Sequence, residues 1–101
     1  MGAASMDQAA ITRFLTAMGD EARLQIAMLL LEKGPMNVGD IASQFRLSRP
    51  TISHHLKVLK DARIVQSEKR AQEIFYRVDN AYVVGQLREL ADLLSDCTPE
   101  G

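Results

Sequence analysis

Between Arg49 and Lys60 the chain spaces polar donors along one side of a helix. Arg49, Ser53, His54, Lys57 and Lys60 share an outer face, while Ile52, Leu56 and Leu59 recur at i, i+4, i+7 on the opposite one. The chemistry of such a face is recognition. A guanidinium presents a fork of N–H groups that matches the two acceptors of a guanine edge, and hydroxyl, imidazole and ammonium groups add contacts to bases or phosphate. Further on, Lys69, Arg70 and Gln72 crowd a short polar stretch from which long side chains can follow a phosphate backbone or enter a minor groove. Double-stranded DNA is therefore the expected partner, and Arg49, Thr51, Ser53, His54, Lys57, Lys60, Lys69, Arg70 and Gln72 are the expected contacts. Arg49, Ser53 and His54 are read as facing base edges, Lys57 and Lys60 as meeting phosphate.

Charge placement supports this. The net charge of the 101 residues is only -1. From Arg46 to Arg77, however, eight Lys or Arg face three carboxylates, whereas the rest of the chain holds four basic against ten acidic side chains. A basic module between acidic flanks is the electrostatic footprint of a nucleic-acid surface.

Other chemistries find no residues. No nucleophile–base pair, phosphate-cradling glycine loop or metal-ligand set is present, so an enzyme is not expected. His54 and His55 are adjacent, which turns them about 100 degrees apart on a helix and prevents them from chelating one ion. His55 reads as a residue at the edge of the core, with a phosphate contact as the alternative. Asp79, Glu89, Asp92 and Asp96 read as solvated surface. Cys97 is the only cysteine, which excludes an intrachain disulfide and leaves an intersubunit bridge, a modified thiol or an inert residue. The inert reading is adopted. The residues call for no metal and no cofactor, and they name no inducer. The longest apolar run, Ile26 to Leu31, is too short to span a bilayer, so no membrane association and a cytoplasmic location are expected.

The elements that must carry these residues are legible from periodicity and caps. Asp7 caps a first helix with Ile11, Phe14, Leu15 and Met18 on one face, ended by Gly19. Asp20 caps a second, apolar on most sides, with a stripe at Leu24, Ala27, Met28 and Leu31 that Ile26, Leu29 and Leu30 widen; it is expected to be central and to stop at Gly34-Pro35. Asn37 opens a short third helix that turns Val38, Ile41, Ala42 and Phe45 inward. Ser48 caps a fourth, from Arg49 to Ala62, with Pro50 in a first turn that can dispense with its N–H. Ile64–Ser67 and Glu73–Val78 read as two strands of a hairpin joined by Lys69–Gln72. A last helix repeats Val83, Leu87, Leu90, Ala91 and Leu94.

The fold expected is mainly α with a small β-hairpin, a winged helix-turn-helix in the order α-α-α-α-β-β-α. Residues 7–95 are expected to form the DNA-binding and dimerisation domain. Residues 1–6 read as a disordered or non-native N-terminal addition, and 96–101 as a flexible tail. A chain this short has little interior in which to hide two terminal apolar stripes, so a homodimer that covers them is expected.

Several stretches resemble the ArsR/SmtB family of bacterial regulators: Ala17–Ile26, Asn37–Ala42, Leu47–Leu59 and Ile74–Val78. The resemblance covers nearly all of residues 7 to 95. It implies a winged-helix homodimer that represses by occupying an operator and is released when a metal ion or an oxidant is sensed. It further implies that the first and last helices pair across the dimer, through Ile11, Phe14, Leu15, Met18, Val83, Leu87, Leu90, Ala91 and Leu94. The chain departs from the family pattern in lacking a cysteine near the third helix and a histidine on the last, the residues of its usual metal sites. Where some relatives place a second cysteine near the second helix, this chain has Ala27 and Met28. Arg63 and Ala71 stand where the family commonly has glycine, so a differently closed helix end and an altered wing tip are expected.

The function that follows is a sequence-specific regulator of transcription, a homodimeric repressor on an inverted-repeat operator. The alternative is an anti-repressor or activator that displaces another DNA-bound protein, modulated by redox chemistry at Cys97.

Overall fold

The computed structural model describes residues 7–97. The expectations for residues 1–6, and for the tail beyond Cys97, lie outside the described residues. The elements run α1 (Gln8–Met18), α2 (Glu21–Lys33), β1 (Met36–Asn37), α3 (Val38–Ser43), α4 (Arg49–Asp61), β2 (Val65–Arg70), β3 (Glu73–Val78) and α5 (Asn80–Cys97).

Each helix begins on a short polar side chain that satisfies a backbone N–H left free by the helix start. Asp7 accepts from Ala10 N at 3.1 Å, Asp20 from Arg23 N at 3.0 Å, Asn37 from Asp40 N at 2.7 Å and Ser48 from Thr51 N at 3.3 Å. Asp79 does the same for α5, accepting from Tyr82 N at 3.1 Å. α2 stops at Gly34, whose φ of 83° is open to glycine and costly for other residues.

The hairpin differs from expectation in two ways. Its strands run on to Arg70 and Glu73, which pair directly, leaving Ala71 and Gln72 as the turn. Lys69 and Arg70 are therefore strand residues rather than loop residues. In addition, β1 adds a third strand, giving the antiparallel order β1-β3-β2 with Met36 opposite Tyr76 and Asn37 opposite Phe75. Two residues are too few to show alternation, so this strand exists only through its pairing with β3.

The core is built by Phe14, Ile26, Ile41, Ile52, Leu56, Leu59, Ile64 and Val65, all fully buried. α2 is central as expected, but only part of its broad apolar surface is covered. Ile26, Ala27 and Leu30 are its buried residues, while Leu24, Met28 and Leu31 of the expected stripe are exposed. A helix apolar around most of its circumference does not say which side its neighbours will cover.

The terminal helices divide similarly. Ile11 and Phe14 were expected at a dimer contact, yet they are only 6% and 2% exposed within a single chain. They are core residues and offer a partner little area. Met18, Val83 and Leu90 also pack on the core. Leu15, Val84, Leu87, Ala91 and Leu94 remain exposed. On α5 the exposed set falls at i, i+3, i+7, i+10, one continuous apolar row.

Both departures from glycine adopt the glycine conformation. Arg63 has φ 66° and Ala71 φ 56°. At the end of α4, Arg63 N donates to Lys60 O and Ile64 N to Leu59 O, each at 2.9 Å. That pair of bonds is the Schellman closure, with Leu59 and Ile64 buried beneath it. The helix end thus closes in the usual way despite its arginine, whose guanidinium lies 4.6 Å from the centre of the Tyr82 ring.

Candidate nucleic-acid interface

α3 and α4, joined by the turn through Leu47 and Ser48, form the helix-turn-helix, and β2–β3 forms the wing. The N-terminus of α4 is set by a double hydroxyl contact: Ser48 Oγ meets Thr51 N at 3.3 Å and Thr51 Oγ1 at 3.0 Å. Thr51 is thereby engaged in the cap of the helix, although exposed. Ile52, Leu56 and Leu59 are 0% exposed and anchor the opposite side. Arg49, Ser53, His54, Lys57 and Lys60 are all exposed, as their spacing required.

These side chains do not all line one groove. Arg49 and Ser53 share a groove with Asn37, Gly39, Gln72 and Glu73, so the tip of the wing and the start of α4 face a common space. Lys60, at the far end of α4, lines a separate depression with Arg63, Gln66 and Asp79. Lys57 is paired with Asp61 at 3.1 Å, both side chains well exposed, so the pair is weak and can be exchanged for a phosphate.

The wing cations also separate. Cross-strand partners share a face, so Lys69, opposite Ile74, lies on the face of Tyr76 and the buried Val78, whereas Arg70, opposite Glu73, lies on the other. Arg70 is folded down: Nη2 donates to Glu68 Oε1 at 3.3 Å, and the guanidinium sits 5.1 Å from the centre of the Phe75 ring.

Behind the interface, Arg23 connects three helices. Its Nε donates to Ala17 O at 2.8 Å and its Nη2 to Thr16 O at 3.3 Å, closing the C-terminal carbonyls of α1. Its Nη1 lies 3.4 Å from His55 Nδ1 on α4. His55 is half-buried, at the edge of the core as expected. The role of Arg23 left no trace in the sequence, because its partners are backbone carbonyls and a residue of a distant helix.

Among the described residues no three His, Cys, Asp or Glu side chains come together as metal ligands would, and no helix is long and apolar enough to cross a membrane.

Residues 20–67 match the profile of the bacterial regulatory proteins of the arsR family. The chain is also 33% identical over 79 residues to the transcriptional repressor SdpR of Bacillus subtilis, spanning 78% of this chain and 87% of that one. The chain belongs to the ArsR family. As an ArsR-family protein with this fold it is a DNA-binding regulator of transcription and not an enzyme. It is similar as well to the transcriptional activator HlyU of Vibrio cholerae, at 36% identity over 76 residues, covering 75% of this chain and 69% of that one. Among solved structures, the homodimeric winged helix-turn-helix DNA-binding domain Mb0332 of Mycobacterium bovis superposes with a TM-score of 0.71 at 27% identity, covering 91% of this chain and 83% of that one.

Proposed function

We propose that this protein is a homodimeric repressor that grips an inverted-repeat operator in the cytoplasm, with α4 in the major groove and the wing along the flanking backbone. The observation that carries this reading is the division of α4. One face is wholly buried, the other presents Arg49, Ser53 and His54 at its N-terminal end and shares a groove with Gln72 of the wing. In this arrangement Arg49 donates to a guanine edge, Ser53 and His54 reach bases or the nearest phosphates, and Lys57, Lys60, Lys69 and Arg70 meet the backbone. Dimerisation is supported by the exposed row Val84, Leu87, Ala91 and Leu94, which a two-fold partner would cover together with Leu15. The homodimeric state of the similar Mycobacterium bovis domain and the repressor activity named for SdpR support the same reading.

The second reading, activation by displacement of another DNA-bound protein, draws on the activator named for HlyU. Selection of bound duplexes from a random library tests the first part. An inverted repeat with half-sites about 10 bp apart is expected, and recovery of sequences without symmetry would overturn the dimeric reading. Transcripts from the adjoining genes in a deletion strain separate the two outputs: repression requires that they rise, displacement that they fall.

A further inference from the structure

Asn37 joins three elements. It is the last residue of β1, the N-cap of α3 and a partner of the wing. Its Oδ1 accepts from Asp40 N at 2.7 Å, and its Nδ2 donates to Glu73 Oε1 at 2.7 Å. The two ends of the carboxamide are not interchangeable: only the oxygen can cap a helix N–H, and only the amide nitrogen can meet a carboxylate. Seating the cap therefore aims the donor.

What it aims at is the tip of the wing. Glu73 pairs with Arg70 at the last register position before the turn. β1 accompanies β3 only at Tyr76 and Phe75, so beyond Asn37 the tip half of β3 has no strand on that edge. Asn37 lies on the same face as Phe75 and Glu73, and its side chain reaches the next residue of that face along β3. Arg70, directly opposite Glu73, is turned to Glu68 and Phe75 instead. A two-stranded ribbon is marginal by itself and its tip is free to twist.

We propose that Asn37 is a positioning residue for DNA binding. Held in place as the cap of α3, it ties the tip of the wing to the helix-turn-helix and sets the wing beside the groove lined by Arg49 and Ser53. The tie also turns the Glu73 carboxylate toward α3 and away from approaching phosphate. The proposal rests on the reading that the wing touches DNA.

Two variants of unchanged net charge test it. Asn37→Ser keeps a strong cap but is too short to reach Glu73. The double variant Asn37→Asp/Glu73→Gln also keeps a cap and reverses the bond, the new glutamine amide donating to the new aspartate. Each is titrated against a fluorescein-labelled mixed-sequence duplex of about three helical turns over a range of salt, with thermal unfolding alongside. Asn37→Ser should unfold near the wild-type temperature yet bind about fivefold more weakly, with a salt slope shallower by about one. The double variant should bind within about twofold of wild type. Wild-type binding by Asn37→Ser, or a double variant as weak as Asn37→Ser, would overturn the tie. Lys69→Ala serves as the control for the underlying reading. If it weakens binding while the pair behaves in the overturning way, only the tie is lost; if it binds as wild type, wing contact itself fails and the tie's bearing on DNA falls with it.

Discussion

The guanidinium of Arg49 lies over Gly39: a β-carbon built on Gly39 would come within 3.2 Å of Arg49 Cζ and closer still to Nη2. The first residue of the recognition helix thus rests on the bare backbone of the preceding helix. Gly39→Ala can be accommodated by moving the end of a flexible side chain, and it removes a glycine from a helix, so unfolding should occur at or above the wild-type temperature. The displaced Arg49 should nevertheless alter DNA preference. Arg49→Ala is expected to lose about 1–3 kcal/mol of discrimination at particular base pairs, and Gly39→Ala a part of it at the same positions. Selection from a random library with each variant checks this; changes at different positions would separate Gly39 from Arg49.

Lys69 and Arg70 are neighbours in sequence but lie on opposite faces of the wing, and only Arg70 is engaged by Glu68 and Phe75. To meet a phosphate Arg70 must give up those contacts, so the two alanine variants should differ. Lys69→Ala should weaken binding to all duplexes similarly and reduce the salt slope by about one. Arg70→Ala should have the smaller effect. Binding isotherms at several salt concentrations measure both, and an Arg70→Ala effect exceeding that of Lys69→Ala would refute this assignment.

The Asp20 carboxyl is held below its ordinary value of 3.8, first by the backbone N–H of Arg23; desolvation opposes this, while the charges of Arg23 and His55 and the N–H of Ala22 add to it. Because the folded value lies below the unfolded one, the stabilisation is complete above the unfolded value and is lost as pH falls through the folded value. Asp20→Asn preserves a capping oxygen but removes the charge. The stability difference between wild type and Asp20→Asn should therefore be fully present at about pH 5 and should close below pH 4. Denaturant unfolding across that range would show it.

Ala71 and Arg63 both occupy left-handed backbone, which costs a non-glycine residue about 1 kcal/mol. Ala71→Gly should relieve that strain and raise stability by about 1 kcal/mol. Arg63→Gly relieves similar strain but forfeits the contact with Tyr82, so its net change should lie within about 0.5 kcal/mol of zero. Chemical denaturation of the two variants compares them directly.

Leu87 sits in the middle of the exposed α5 row at 51% exposure, where a glutamate costs the single chain little. In a dimer it would bury an unpaired charge on each side of the two-fold axis. Leu87→Glu should weaken self-association by at least about 100-fold while leaving the circular dichroism spectrum unchanged. Sedimentation at several concentrations would detect the loss, and an undiminished dimer would place the interface elsewhere.

Local chemistry accounts for what the residues alone determined. Asp7, Asp20, Asn37 and Ser48 cap their own helices within three residues, and the alternation of Ile52, Leu56 and Leu59 with Arg49, Ser53 and Lys60 assigns both faces of α4, since each signal is contained in a few turns of chain. Tertiary structure decided the rest. Periodicity says that a helix has an apolar side but not which neighbour covers it, so Leu24, Met28 and Leu31 of α2 are exposed while Ile26 and Leu30 are buried, and Ile11 and Phe14 are buried within the single chain. β1 exists because β3 pairs with it, and the opposite faces of Lys69 and Arg70 follow from a strand register that a one-residue slip would invert. Asn37 was legible as a cap, but its bond to Glu73 joins residues far apart in the chain, and only folding brings them within reach.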